Sequence, residues 1–222
     1  MPIVILISGR GSNLQSIIDA THSGQLPVEI CAVICNRPDA RGAQASSLAG
    51  IRTIVIDHAC YSDRAAFDAT LQATIDTFEP ELVVLAGFMR ILTPDFIAHY
   101  RGRIVNIHPS LLPAFPGLNT HQRALDAGMR ESGATVHFVT DEVDGGPAFL
   151  QGRVPVLEND TAETLADRVL VQEHRIYPLA IRWYAEGRVS LNDRGQVQFD
   201  GQRLGAPLVI VPELDTLGAC RT

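Results

Sequence analysis

Short runs of consecutive apolar residues alternate along this chain with stretches in which apolar positions recur every three or four residues. IVILIS (3–8), EICAVIC (29–35), RTIVID (52–57), ELVVLAG (81–87) and RIVNIH (103–108) are nearly continuous and rich in β-branched residues. Such runs predict strands buried on both faces. Between them lie helix patterns. NLQSIIDATHSG (13–24) has apolar residues at 14, 17 and 18 and stops at Gly24; RGAQASSLAG (41–50) is shorter. YSDRAAFDATLQATIDTF (61–78) offers Ser62 as N-cap, and PDFIAHY (94–100) carries Pro94 in its first turn. Alternation of this kind predicts an α/β fold, a Rossmann-like, mainly parallel sheet with helices on both faces.

After about residue 130 the pattern changes. ATVHFVT (134–140) and FLQGRVPV (149–156) flank a turn sequence like neighbouring strands, which predicts an antiparallel edge toward the C-terminal half. The longest helix pattern, 161–187, contains Pro178 and is expected to bend or break there. VSLNDRGQVQFDGQRL (189–204) reads as a hairpin around Asn192–Gly195, and from Gly205 onward periodicity fades, as in a mobile tail. The expected organisation is therefore one catalytic domain over 1–188, with a hairpin and tail over 189–222 packed on it or trailing from it.

Bulk properties narrow the classes. A chain of 222 residues with 46% apolar content is an ordinary globular domain with room for a sizeable core. A net charge of −7 argues against a nucleic-acid binder. The N-terminus lacks a basic region before its short apolar run, and no apolar segment reaches membrane-spanning length. Of the cysteines, Cys31, Cys35, Cys60 and Cys220, the first two fall in one strand pattern and read as buried, reduced packing residues, consistent with the cytoplasm. No cysteine or histidine spacing completes a metal-ligand set, so no metal is expected.

Candidate chemistry sits at three places. Strand 1 runs into ISGRGSNLQSII (7–18), a strand–turn–helix whose Gly9 and Gly11 allow close approach to a ligand. Leu14 stands where a dinucleotide fingerprint has its third glycine, and no Walker lysine is present, so a phosphate site and a plain tight turn are balanced readings. Phe88, Met89, Arg90, Ile91 and Leu92 follow the strand ending at Gly87; they line a pocket for a flat ring or pack the core. Third, Asn106 and His108 lie two apart at the end of a buried strand, in NIHPSLLPAFPG, and Asp144 lies in the turn VTDEVDGG. An amide donor, an imidazole and a carboxylate suit acyl transfer through a tetrahedral oxyanion. His22, His58 and His99 read as exposed or helix-end residues, while His121 and His137 read equally as supporting or structural groups.

ISGRGSNLQSIID, LAGFMRIL, NIHPSLLPAFPG, VHFVTDEVDGGP and VQEHRIYPLAIRW, collinear from residue 3 to about 204, together resemble the folate-dependent formyltransferase family, in its purine-pathway branch. The resemblance implies transfer of the formyl group of 10-formyltetrahydrofolate, a cosubstrate, to the glycine amine of 5-phosphoribosylglycinamide, with no metal or redox cofactor. It implies catalysis by Asn106, His108 and Asp144, with Asn106 and a charged His108 donating to the oxyanion and Asp144 favouring that charge. It assigns Gly11, Ser12 and Asn13 to the phosphate, and Glu173 to a ribose hydroxyl. Arg64, Met89, Arg90, Ile91, Leu92, Asn106, Thr140, Asp141 and Asp144 fall to the folate side. The partners implied are small molecules, without nucleic acid or membrane, the protein being a monomer or homodimer.

The chain departs from the family pattern at Asn119, where many relatives have histidine, and at Ala114, where a basic residue is common. Leu170 offers no charge to the phosphate, leaving Arg10 and Arg168 as candidate cations. Two alternatives keep the same residues. A 10-formyltetrahydrofolate hydrolase would use water as acceptor and usually carries an N-terminal regulatory domain, which this chain, opening on strand 1, is not expected to have. A non-catalytic folate or nucleotide sensor would be expected to have lost one of the three polar residues. A transferase acting on initiator methionyl-tRNA would need an RNA-binding domain and a basic surface.

Overall fold

The computed structural model describes residues 1–211, in which the apolar runs pair into one sheet. Its strands are β1 (Pro2–Ile7), β2 (Glu29–Cys35), β3 (Thr53–Val55), β4 (Leu82–Leu85), β5 (Ile104–His108), β6 (Glu131–Phe138) and β7 (Ala148–Pro155). The helices are α1 (Ser12–His22), α2 (Arg41–Leu48), α3 (Arg64–Asp76), α4 (Pro94–His99), α5 (Thr120–Asp126) and α6 (Ala162–Ala185). After α6 come β8 (Val189–Leu191), β9 (Val197–Phe199) and β10 (Gln202–Arg203), an antiparallel sheet of their own, and then β11 (Leu208–Ile210).

The main sheet has the order β11-β7-β6-β5-β4-β1-β2-β3. β1 to β5 are mutually parallel, while β6 runs antiparallel to β5 and to β7. The chain builds outward from β1 to β3 and then returns to place β4 on the other side of β1. Loops at the carboxyl ends of β1 and β4 therefore diverge and leave a crevice.

Side-chain alternation along the strands sorts the core into two layers. Ile3, Ile5, Ile7, Val84, Val105, Ile107, Val136 and Phe138 face α1 and α6; Val4, Leu6, Val83, Leu85 and Ile104 face α3 and α4. Both layers are fully buried, as continuous apolar strands require. On the second face, Asn106, His108, Thr135 and His137 continue the same alternation, and the cross-strand pairs are Asn106 with His137 and His108 with Thr135. The site occupies this polar quarter of that face.

Several expectations change. Asp63, not Ser62, caps α3, its carboxylate accepting from the Ala66 amide at 2.8 Å while Ser62 donates to Asp63. α6 continues through Pro178, because Tyr177 and Ile181 on either side are buried and packing outweighs one lost hydrogen bond. α5 had no periodic signal and is stabilised by context. The tail beyond Gly205 includes β11, which pairs in parallel with β7, so one more strand lies outside the antiparallel section. Cys31 is only half-buried, because β2 starts at an exposed edge, whereas Cys35 is buried; Cys220 lies outside the described residues. Among the described residues no helix is long and apolar enough to cross a membrane.

Candidate active site

β5 ends by delivering Asn106 and His108 onto the second face, beyond the part packed by α3 and α4, and the loop between β6 and β7 brings Asp144 to them. In that loop Asp144 takes a left-handed backbone (φ 53°), which aspartate tolerates better than most residues. Its carboxylate lies 3.3 Å from His108 Nδ1 and accepts a hydrogen bond from the Gly117 amide at 2.9 Å. His108 Nε2 is 3.0 Å from the Phe115 carbonyl, so both ring nitrogens face oxygen acceptors. Both side chains of the pair are largely buried. A charged ring satisfies both contacts at once.

The Asn106 carboxamide nitrogen is 3.3 Å from His137 Nε2, and His137 Nδ1 is 2.9 Å from the Phe138 carbonyl. His137 Nε2 also stands 3.8 Å from the other Asp144 oxygen. Burial holds the His137 ring below its ordinary pKa, outweighing the opposite pull of the Phe138 hydrogen bond and of Asp144. His121, in α5, is half-buried with its Nδ1 unpartnered, and burial first, then proximity to His108, lowers its pKa.

The loop facing His108 is fixed from behind. Thr135 Oγ1 donates to the Ser110 carbonyl and accepts from the Leu112 amide, and Gln151 donates to the Leu112 carbonyl. Phe115, at φ 54°, is strained for a bulky residue, and Arg123 donates to the Pro116 and Leu118 carbonyls on either side of Gly117. Asn119 sits in a left-handed conformation ahead of α5 without capping it, and Ala114 is half-buried, its carbonyl taken by the Ser110 hydroxyl.

The second cluster joins distant ends of the chain. Asn13 donates to Glu173 at 2.6 Å, linking the start of α1 to α6. Burial pushes the Glu173 carboxyl above its ordinary pKa, against the lowering effect of Asn13. Asn13 Oδ1 and Gln172 Oε1 are buried without a partner. Gly11, at φ 77°, leaves no room for a side chain, since a Cβ there would lie 2.7 Å from Gly42 Cα. Leu170, one turn before Glu173, is half-buried. Arg168 is held by Asp160, with contacts of 2.6 and 2.7 Å, and also donates to the Pro155 carbonyl. It is thus committed away from the phosphate loop, while Arg10 is exposed within it.

The ends of β1 and β4 are tied to each other. Ser8, at the end of β1, donates its amide to the Gly87 carbonyl and accepts from the Met89 amide. Sequence reasoning passed over this serine, because a backbone partner leaves no trace in side-chain pattern. Met89 is 68% exposed and Ile91 56%, but Leu92 only 5%. Core packing accounts for Leu92, while Met89 and Ile91 present apolar surface to the outside. Arg90 lies over the Phe67 ring at 4.5 Å, and Arg64 opens the same helix one turn earlier, exposed. Thr140 is half-buried and Asp141 exposed, in the loop that carries Asp144. Among the described residues no group of three or more histidine, cysteine or acidic side chains could hold a metal ion.

A Rossmann-like sheet with an amide, an imidazole and a carboxylate on one face carries the groups that acyl-group transfer calls for, and the family model described as formyl transferase matches residues 1–181. The chain belongs to the formyl transferase family. It is 50% identical over 204 residues to the phosphoribosylglycinamide formyltransferase of Escherichia coli (strain K12), covering 92% of this chain and 96% of that one. It is 46% identical to the enzyme of the same name from Haemophilus influenzae, covering 91% and 95%. Among solved structures, the phosphoribosylglycinamide formyltransferase of Coxiella burnetii in complex with CHES superposes with a TM-score of 0.90 at 50% identity, over 94% of this chain and 98% of that one.

Proposed function

We propose that this chain transfers the formyl group of 10-formyltetrahydrofolate to the glycine amine of 5-phosphoribosylglycinamide, giving formylglycinamide ribonucleotide and tetrahydrofolate. The observation that carries this reading is the meeting of Asn106, His108 and Asp144 on one sheet face, at the same carboxyl edge of the parallel strands from which the Gly11–Asn13 turn leaves β1. The amine lone pair attacks the formyl carbon, and the C=O electrons move onto oxygen. Asn106 Nδ2–H and His108 Nε2–H donate to that oxyanion, the incoming oxygen taking the place held by the Phe115 carbonyl. Collapse restores C=O and breaks the bond to N10, which receives a proton from His108 or through a water. The attacking nitrogen, cationic after addition, gives up one proton to His108 or to water, so that the ring ends charged as it began. Asp144 orients the ring and balances its charge, and each oxyanion donor contributes about 3 kcal/mol to the transition state.

The remaining residues bind. Gly11, Ser12 and Asn13 present amides at the start of α1 to the phosphate, with Glu173 on the ribose. Met89 and Ile91 supply apolar surface for the pterin, with Thr140, Asp141 and Asp144 along its edge and Arg64 and Arg90 toward the anionic glutamate. In this reading residues 1–188 form the catalytic unit, with 189–222 as an accessory hairpin and tail. The test mixes the protein with a 10-formylfolate analogue, with and without glycinamide ribonucleotide, and follows deformylation by absorbance. Turnover that requires the amine is expected; turnover independent of it, or none despite ligand binding, overturns the proposal.

A further inference from the structure

We propose that His137 is a positioning residue that holds the Asn106 carboxamide in place, as a neutral ring carrying its proton on Nδ1. The argument rests on hydrogen-bond chemistry and on the reading of Asn106 as the oxyanion donor. The Phe138 carbonyl can only accept, so the nitrogen 2.9 Å from it, Nδ1, carries a proton. The ring is 2% exposed, and burial disfavours its charged form. Nε2 is then a bare acceptor, and the group within reach is the Asn106 NH2, at 3.3 Å.

That contact decides which way the amide faces. A carboxamide can rotate by half a turn and exchange its oxygen for its nitrogen, placing an acceptor where the oxyanion needs a donor. An Nε2 lone pair repels the amide oxygen and attracts one N–H, so one orientation is selected. The second N–H of the same group remains for the substrate. Strand register makes the arrangement rigid, because His137 and Asn106 are direct cross-strand partners. Protonation would reverse it. The ionisable groups facing the ring are Asp144, with an oxygen 3.8 Å from Nε2, and His108. A proton on Nε2 would point at Asp144, compete with His108 for it, and turn the Asn106 NH2 away.

His137→Leu removes the acceptor, and His137→Gln supplies a carbonyl oxygen near the position of Nε2. The leucine variant should lose about tenfold to a hundredfold in kcat with both KM values within about twofold of the parent, and the glutamine variant should recover most of that loss. In the Asn106→Ala background, adding His137→Leu should cost nothing more. Additive losses, or a loss seen mainly in KM, overturn the proposal. Independently of activity, a long-range proton–nitrogen NMR spectrum of the parent protein at neutral pH should show a protonated Nδ1 and a bare Nε2 on His137; the opposite tautomer or a charged ring overturns it. A parent enzyme without turnover would instead count against the formyl-transfer reading, and the ring spectrum would still decide the tautomer.

Discussion

At the scale of single residues, two carboxylates have opposite circumstances. Asp144 is shared between a backbone amide and an imidazole, so its negative charge is answered locally. Glu173 is buried with one neutral donor, Asn13, and burial raises its pKa. A carboxyl that holds its proton more tightly when folded costs stability as pH rises from its ordinary value through the raised one, because the folded state there binds more protons than the unfolded chain. Glu173→Gln keeps an acceptor for Asn13 and removes the charge. It should therefore raise the melting temperature above that of the parent near neutrality, and leave it unchanged in acid below the ordinary carboxyl range. A pH series of thermal melts checks this. For His108→Ala, kcat should fall by about 10²–10³ with folate affinity nearly intact, measured by steady-state kinetics and equilibrium binding. Equal loss in both would count against an oxyanion role.

Among the elements, the β1–α1 turn depends on backbone shape more than on any side chain. Gly11 is left-handed and in near contact with Gly42, whose amide donates to the Gly9 carbonyl. Gly11→Ala should cost about 1–3 kcal/mol and raise KM for the phosphoribosyl substrate more than for the folate. Thermal melts and the two KM values separate these effects. The strands and most helices were legible because each apolar run is continuous and each helix stripe periodic. α5 was not, and neither was β11, three residues whose pairing with β7 supplies what their own pattern lacks. Ser62 and Asp63 are both capping residue types, and only the geometry of the turn selects Asp63.

In the whole molecule, α6 ties the two halves of the site together. Glu173 reaches Asn13 on α1, and one turn later Tyr177 donates to the Leu85 carbonyl at 2.7 Å, at the end of β4. A nucleotide bound across α1 and α6 therefore holds together elements 160 positions apart in the sequence. Saturation at a hundredfold excess over Kd should stabilise the protein by about 2.7 kcal/mol, read as a rise in melting temperature with added glycinamide ribonucleotide. Asn13→Ala should abolish most of that rise while leaving the rise produced by folate. Equal reduction of both would count against separate subsites.

The sequence by itself determined the layered α/β architecture, the polar pair Asn106 and His108 on one strand face, and the glycine turn ahead of α1. These follow from local periodicity and from residues whose backbone preferences are strong. Tertiary structure alone decided that Asp144 reaches His108, that Arg168 is committed to Asp160, and that His137 stands opposite Asn106. The alternation of Thr135 and His137 with Ala134, Val136 and Phe138 already placed His137 on the polar side of its strand. What it could not supply was the register between β5 and β6, the path of the 139–147 loop, and the backbone groups of Phe115 and Gly117. Those depend on which segments meet across the fold, and backbone carbonyls and amides are the same in every sequence.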